Sequence, residues 1–349
     1  MSNQQGEAKT VLAPLGPRGE VIPPASSEET ARKPSKVAAA QLAHAALDHL
    51  RSERALPYFL AGPAVLIVLF VIGYPLVSNV WNSLHYGHLP SPRVNEWVGL
   101  EHYITAATDP ELRRAALNSI TISGGTALFS VVTGFAWAIA LNQARRFKAG
   151  LQVLVLTPWV LSGVMVARLW LWLLDPVLGV LNHWLVSLVL QPLFGFQGSL
   201  ELTTSAQTAG LTMVIACGWR MTPFVFVMIL AGLQSIPQEL YEAAMVDGGN
   251  AYQRFRYITL PFLRYIVIIV ALLVFVWVFN DFSILYVMTR GGPGYTTMVL
   301  PYRVYRFIVE GFRMGIGSAL SMLMVLLLTL VAVAYVRLLR RQSEEGTLL

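Results

Sequence analysis

Cysteine, charge and the usual catalytic signatures are all scarce in this chain, and each shortage excludes something. Cys217 is the single cysteine in 349 residues, so a disulfide framework is ruled out and the redox compartment is left open. Charged residues make up 13% of the chain against 55% hydrophobic ones, and the mean hydropathy is +0.58. That balance excludes an ordinary soluble domain and indicates an integral membrane protein. No G-x-x-x-x-G-K-[ST] run occurs, and the GGPG at 291–294 has no lysine after it, so the chain cannot itself cradle the phosphates of ATP. The six histidines lack metal-ligand spacing except for His85 and His88, which sit near Pro90 and read as an exposed polar turn. No nucleophile, base and metal set converges in the sequence. The chain therefore reads as a non-catalytic membrane subunit with no metal site and no bound cofactor. The formal charge of +6 raises nucleic acid as a partner, but the basic residues lie beside apolar segments, as orientation signals do.

What the chain has in quantity is apolar length. A helix needs roughly 20 apolar residues to cross a bilayer. Six stretches qualify, at 58–82, 118–141, 151–174, 209–233, 265–288 and 315–337. This predicts an all-α integral membrane protein with a six-helix domain over 57–340. The apolar piece at 176–197 is interrupted by Asn182, His183, Gln191, Pro192 and glycines, and reads as an interfacial or re-entrant segment. Residues 1–56 show no cleavable signal peptide. About the first 35, rich in Pro, Gly, Ser, Ala and charge, predict a disordered tail, and 37–54 form either a surface helix or an Ala-rich spacer. With the N-terminus inside, sixteen Lys and Arg fall in inner regions and seven in outer loops, while Arg168 and Arg220 lie within spans. The bias puts both termini, including the 341–349 tail, in the cytoplasm. The last outer loop, with Arg290, Arg303, Arg306 and Arg313, is unusually basic for that side.

The two inner loops differ sharply. Residues 142–150 make a tight turn, but 234–264 is much longer than a connection requires, and long structured loops are usually functional. Ser235, with Pro237 in the first turn and Gln238 three residues on, predicts a capped helix start. Residues 239–245 favour helix, Gly248 and Gly249 can take the positive φ that ends it, and Asn250 with Gln253 predicts a second cap. That second helix is expected to stop near Leu260-Pro261, where proline opens the next span. Small Ala243 and Ala244 on one face, with Glu239 and Glu242 nearby, suit close docking of a partner surface, or else the loop is simply solvated.

The spacing then carries a resemblance. Glu242-Ala243-Ala244, Gly248 after three further residues, and Ile258, Leu260 and Pro261 after nine more match the EAA loop of binding-protein-dependent ABC importer permeases. Pro158, Trp170, Gly179, Asn182, Trp219, Pro223, the run Phe279-Asn280-Asp281-Phe282, Thr289 to Pro293 and Gly311 to Ala319 resemble the carbohydrate-type, maltose group within it. The resemblance covers residues 57–340 and leaves out the large periplasmic insertion and two extra N-terminal spans of the maltose subunit. It implies the ABC type I importer permease fold and a place in the bacterial plasma (inner) membrane. It also implies a second homologous permease, an ATPase dimer using ATP and Mg, and an extracytoplasmic solute-binding protein that delivers a sugar or oligosaccharide. In that family the loop seats on the ATPase, which implies coupling roles for Glu239, Glu242, Ala243, Ala244, Asp247, Gly248, Ile258, Leu260 and Pro261.

Ionisable residues inside spans are costly and mark functional sites by default. Arg168, Arg220 and Asp281 are such residues here. Trp277 and Asp281 are four apart and are expected to share a helix face. With Asn280 they offer an aromatic plate and polar acceptors suited to a sugar, and Trp219, Arg220 and Phe224 offer the same mixture on the fourth span. The alternative is structural, with Arg168 or Arg220 pairing with Asp281 or bonding backbone carbonyls. Two other functions stay open. A polyol or glycerol phosphate substrate would make Arg220 a phosphate partner, and a secondary transporter would need broken helices with ion sites and, usually, internal repeats, of which none is clear.

Overall fold

The computed structural model describes residues 56–346 apart from 89–90, 92, 94, 144–147 and 195–197. Residues 1–55 of the tail predicted at 1–56, Arg145 and Arg146 of the first inner turn, and residues 347–349 lie outside the described residues. Among the described residues there are helices and two isolated β-bridges, His85 with Trp97 and His88 with Arg313, but no strand. In chain order the helices are α1 (Ala61–Ser83), α2 (Glu101–Thr108), α3 (Pro110–Gln143), α4 (Lys148–Val160), α5 (Gly163–Leu173) and α6 (Val180–Leu193). They continue with α7 (Ala209–Gln234), α8 (Gln238–Val246), α9 (Ala251–Asn280), α10 (Ser283–Met288), α11 (Leu300–Tyr305) and α12 (Met314–Gly346). A boundary between two compact units, Met1–Val71 and Ile72–Leu349, falls inside α1, and the packing below is that of the second.

Five helices, α1, α3, α7, α9 and α12, are long and apolar enough to cross a membrane, and the bent pair α4–α5 makes a sixth candidate. Two predicted spans are corrected. Residues 151–174 are not one helix, because α4 and α5 meet at 106°. Ser162 leaves the helix in extended conformation (ψ 153°) and its hydroxyl accepts the Met165 N–H, so a helix start is written into the middle of the apolar run. Residues 265–288 are not one helix either. The chain leaves α9 at Asp281 (ψ 126°), and Asp281 Oδ1 accepts the Ser283 N–H at 2.8 Å, which begins α10.

The piece at 176–197 also differs in detail. The helix continues through Gln191 and Pro192 rather than breaking there. At 1.5 Å per residue α6 is only about 21 Å long, too short to span a core of about 30 Å. Its base is fastened by Asn182, 2% exposed, which donates to Leu174 O and Leu200 O and accepts from Leu200 N. Asp175 Oδ1 accepts the Leu178 and Val177 N–H groups, which hold that carboxyl below its usual range.

The buried side chains fall into two cores stacked along the long helices. One, here the far core, holds Leu112, Ile122, Val166, Met213, Phe279 and Leu285. The other, the loop-side core, holds Leu141, Val155, Phe226, Ile229, Leu263 and Val274, with Tyr241 and Ile258 of the long loop packed on it. Helices α3, α7 and α9 contribute to both, and Cys217 and Phe275 touch both. Polar contacts also join α3 to α7 along the loop-side core, where Ser130 donates to Gly218 O at 3.2 Å and Thr133 bonds Thr222 at 2.7 Å.

Candidate functional sites: the long loop and the interlayer pair

In the long loop, α8 follows Pro237, whose backbone is extended (ψ 130°) and which makes no side-chain cap. The predicted Ser235 cap is corrected. The Ser235 hydroxyl instead donates to Gly232 O at 2.8 Å, closing the end of α7, because Pro237 delays the next helix by two residues. The second cap is present as predicted, with Gln253 N donating to Asn250 Oδ1 (2.9 Å) and Asn250 N donating to Gln253 Oε1 (2.8 Å). Gly248 sits at φ +79°, the left-handed region that glycine occupies without a Cβ penalty. Gly249 keeps a negative φ and donates its N–H to Ala244 O. The helix predicted to stop at Leu260-Pro261 does not. It runs on as α9, because a π-helical turn at Phe255–Thr259 absorbs the ring and missing donor of Pro261.

The loop is tied down on one side and bare on the other. Tyr241 Oη bonds the buried Thr259 hydroxyl at 2.9 Å, and Ile258 is half-buried on the loop-side core. Glu239, Glu242, Ala243 and Asp247 are exposed, and so are the apolar Leu240, Met245, Val246, Tyr252 and Tyr257, with Val246 at 88%. Ala244 is half-buried, as is Leu260, and Pro261 is exposed. Two concave surfaces flank α8. One, of about 640 Å3, is edged by Gln143, Tyr241, Met245 and Tyr252; the other, of about 270 Å3, by Ala244, Asp247, Gly248 and Tyr257. Exposed apolar surface of this kind, rimmed with charge, is what a protein or membrane contact uses.

In the layer between the cores, Arg220 of α7 pairs with Asp281 at 2.8 Å, Nη1 to Oδ2, with side chains 21% and 34% exposed. Phe224, one turn after Arg220, lies 4.7 Å from Trp277, and Trp159 lies 6.1 Å from Phe224. The expectation that Trp277 and Asp281 share a helix is corrected, since Asp281 stands just past the end of α9. Its N–H still bonds Trp277 O at 3.1 Å, which keeps the two one turn apart. Arg220, Phe224, Trp277 and Asp281 are thus brought together. Asn280 is beside them, exposed, with its amide donating to Val276 O. Trp219 is not part of the group. It turns to Trp170 (6.0 Å) and packs on the far core. Arg168 is exposed and makes no ion pair among the described residues.

Sequence reading missed three features. His85 is buried at 7%, stacked on Trp81 (4.2 Å), edge-on to Trp97 (5.1 Å) and bonded through Nδ1 to Trp81 O, so the predicted exposed turn is corrected there. The i,i+4 spacing of Trp81 and His85 at a helix end was the available signal. Arg303 and Arg306 of the basic stretch predicted to lie outside pair with Glu111 and Glu310. Gly163 abuts Ser283, so the breaks in the two discontinuous helices touch, and a Cβ at 163 would collide with the Ser283 hydroxyl.

Residues 130–344 match the family described as binding-protein-dependent transport system inner membrane component. The trehalose/maltose transport system permease protein MalF of Thermococcus litoralis is 31% identical over 292 residues, covering 84% of this chain and 96% of that protein. The sulfoquinovosyl glycerol transport system permease protein SmoG of Agrobacterium fabrum is 31% identical over 291 residues, covering 83% and 92%. A solved bacterial ABC transporter involved in import of the acidic polysaccharide alginate has the same fold, with a TM-score of 0.71 and 21% identity over 84% of this chain and 98% of that one.

Proposed function

We propose that this chain, which belongs to the family of binding-protein-dependent transport system inner membrane components, carries a sugar or oligosaccharide handed over by a solute-binding protein. It is a multi-pass inner-membrane permease subunit of an ABC importer and, as such, a non-catalytic component. The finer assignments are ours: a second, homologous permease beside it, an ATPase dimer that supplies the energy, both termini in the cytoplasm, and cytoplasmic tails at 1–56 and 341–349 around a membrane domain at 57–340.

One observation carries the substrate class. An aromatic plate, Phe224 against Trp277, stands beside a polar pair, Arg220 with Asp281, in the middle of otherwise apolar helices. Sugars combine an apolar ring face with hydroxyls that hydrogen-bond, and this mixture serves both. A relative named for trehalose and maltose, both uncharged sugars, supports it. A phosphorylated polyol fits less well, because Asp281 already neutralises Arg220.

For coupling, the bare face of α8 with Glu239, Glu242, Ala243 and Asp247 seats on the ATPase, and the pinned face, through Tyr241 and Thr259, passes its motion to α9. Closure of the ATPase dimer on ATP then biases the helices between inward- and outward-facing states. The test is affinity purification of the tagged chain from its native membrane, followed by identification of what accompanies it. An ATPase and a second permease are the expected companions, and the solute-binding protein made with them should bind maltose or trehalose in calorimetry. A chain that purifies alone and moves solute alone would overturn the reading.

A further inference from the structure

We propose that the Arg220–Asp281 pair is the charge filter of the pathway: it binds the neighbouring hydroxyls of an uncharged sugar and gives no advantage to anionic or cationic ones. This deepens the sugar-permease reading and rests on it.

The argument starts from which atoms are already committed. Asp281 Oδ2 accepts from Arg220 Nη1, and Asp281 Oδ1 accepts from Ser283 N. Arg220 Nε is buried and has no partner. The guanidinium therefore keeps unused donors, and the carboxylate keeps unused lone pairs, side by side. A hydroxyl that donates to the carboxylate while its neighbour accepts from the guanidinium satisfies both, which is the pattern a vicinal diol presents. The cavity behind the pair, edged by Ser119, Ser123 and Cys217, is about 20 Å3 and holds about one water. A sugar must therefore meet the pair on its exposed flank, where Trp277 is 41% exposed and offers its ring.

Charge decides the rest. No other Asp, Glu, Lys or Arg edges the small cavity behind the pair, and the charges of the pair sum to zero. In apolar surroundings, removing one partner leaves an uncompensated charge, which is strongly unfavourable until a counter-ion covers it. Without Asp281 the site becomes an anion receptor. Without Arg220 it becomes a cation receptor. The native pair satisfies itself and gives neither sign an advantage.

The test uses the assembled transporter, with its ATPases, second permease and solute-binding protein, in proteoliposomes. ATP is enclosed together with an excess of glucose, glucuronate or glucosamine, and uptake of labelled neutral mono- and disaccharides is measured from outside. Luminal sugars reach the inward-facing site without needing the binding protein. Each variant is scaled to its own rate with luminal glucose. In the native complex, glucuronate and glucosamine should slow uptake no more than glucose does. In Asp281→Asn, glucuronate alone should slow it about tenfold, the worth of one charge-assisted contact. In Arg220→Gln the selective inhibitor should be glucosamine, and in the Arg220→Gln, Asp281→Asn double variant neither should act. If Asp281→Asn does not assemble, Arg220→Gln and the neutral double variant still decide. Equal inhibition by all three sugars in every variant, or stronger inhibition of the native complex by glucuronate than by glucose, overturns the filter. A native complex that moves no neutral sugar overturns the sugar reading, and the filter with it.

Discussion

The long loop and the interlayer pair solve opposite problems. The loop leaves Val246, Tyr252 and Tyr257 bare while pinning Tyr241 to Thr259 behind them. The pair leaves little bare, since Arg220 and Asp281 spend their charges on each other. A surface waiting for a protein exposes apolar area and needs a rigid back. A site waiting for a small polar molecule in an apolar layer must stay neutral and hydrogen-bonded until the molecule arrives. The contrast teaches where each kind of change should hurt: coupling at the loop, selectivity and packing at the pair.

The largest effect should come from breaking the loop's side of the contrast. Glu242→Lys is expected to reduce ATP-coupled uptake by about 100-fold or more, because it reverses a charge on the exposed face proposed to seat on the ATPase, and a mismatched charge at an interface costs several kcal/mol. Membrane insertion, followed by protease protection, should be unchanged. Normal uptake would remove α8 from coupling. Gly248→Val forces a β-branched residue to φ +79°, at a cost of about 1–3 kcal/mol. Uptake should fall about tenfold while the apolar helices stay inserted.

The pair sharpens the contrast by responding in stability instead. Arg220→Ala should lower stability in detergent by about 1–2 kcal/mol, less than a fully buried pair would lose because both side chains are partly exposed. The neutral double variant should lose less than either single change, and calorimetric melting checks the order. Trp277→Ala should raise the apparent KM for uptake several-fold, about 1 kcal/mol of ring contact, without altering ATPase binding. The smallest effect is expected from Asn250→Ala, about 0.5 kcal/mol from a solvent-exposed cap, visible as faster amide exchange at the start of α9.

The loop was legible in the sequence because its rules are local. Asn250 and Gln253 cap across three residues, and Gly248 ends a helix that residues 239–245 favour. Even there, Ser235 misled, because Pro237 moved the helix start past its reach. Apolar length located the long helices but not their breaks. The Ser162 cap on Met165 and the Asp281–Ser283 turn each rest on one hydrogen bond inside an apolar run, and hydropathy averages over them. The interlayer site needed tertiary information. Arg220 and Asp281 are 61 residues apart in sequence, and Arg168 was as plausible a partner until packing chose between them. Trp219 and Phe224 look alike as candidates, yet the helix turn sends one to Trp170 and the other to Trp277.

The most direct test of the account is the energy source. The purified chain with its second permease, ATPases and binding protein is placed in vesicles, and uptake of a labelled neutral sugar is followed with either ATP inside or an imposed proton or sodium gradient. The account predicts uptake with ATP and the binding protein, none with the gradient alone, and loss of the ATP-driven rate in Glu242→Lys. Gradient-driven uptake that needs neither ATPase nor binding protein would contradict it.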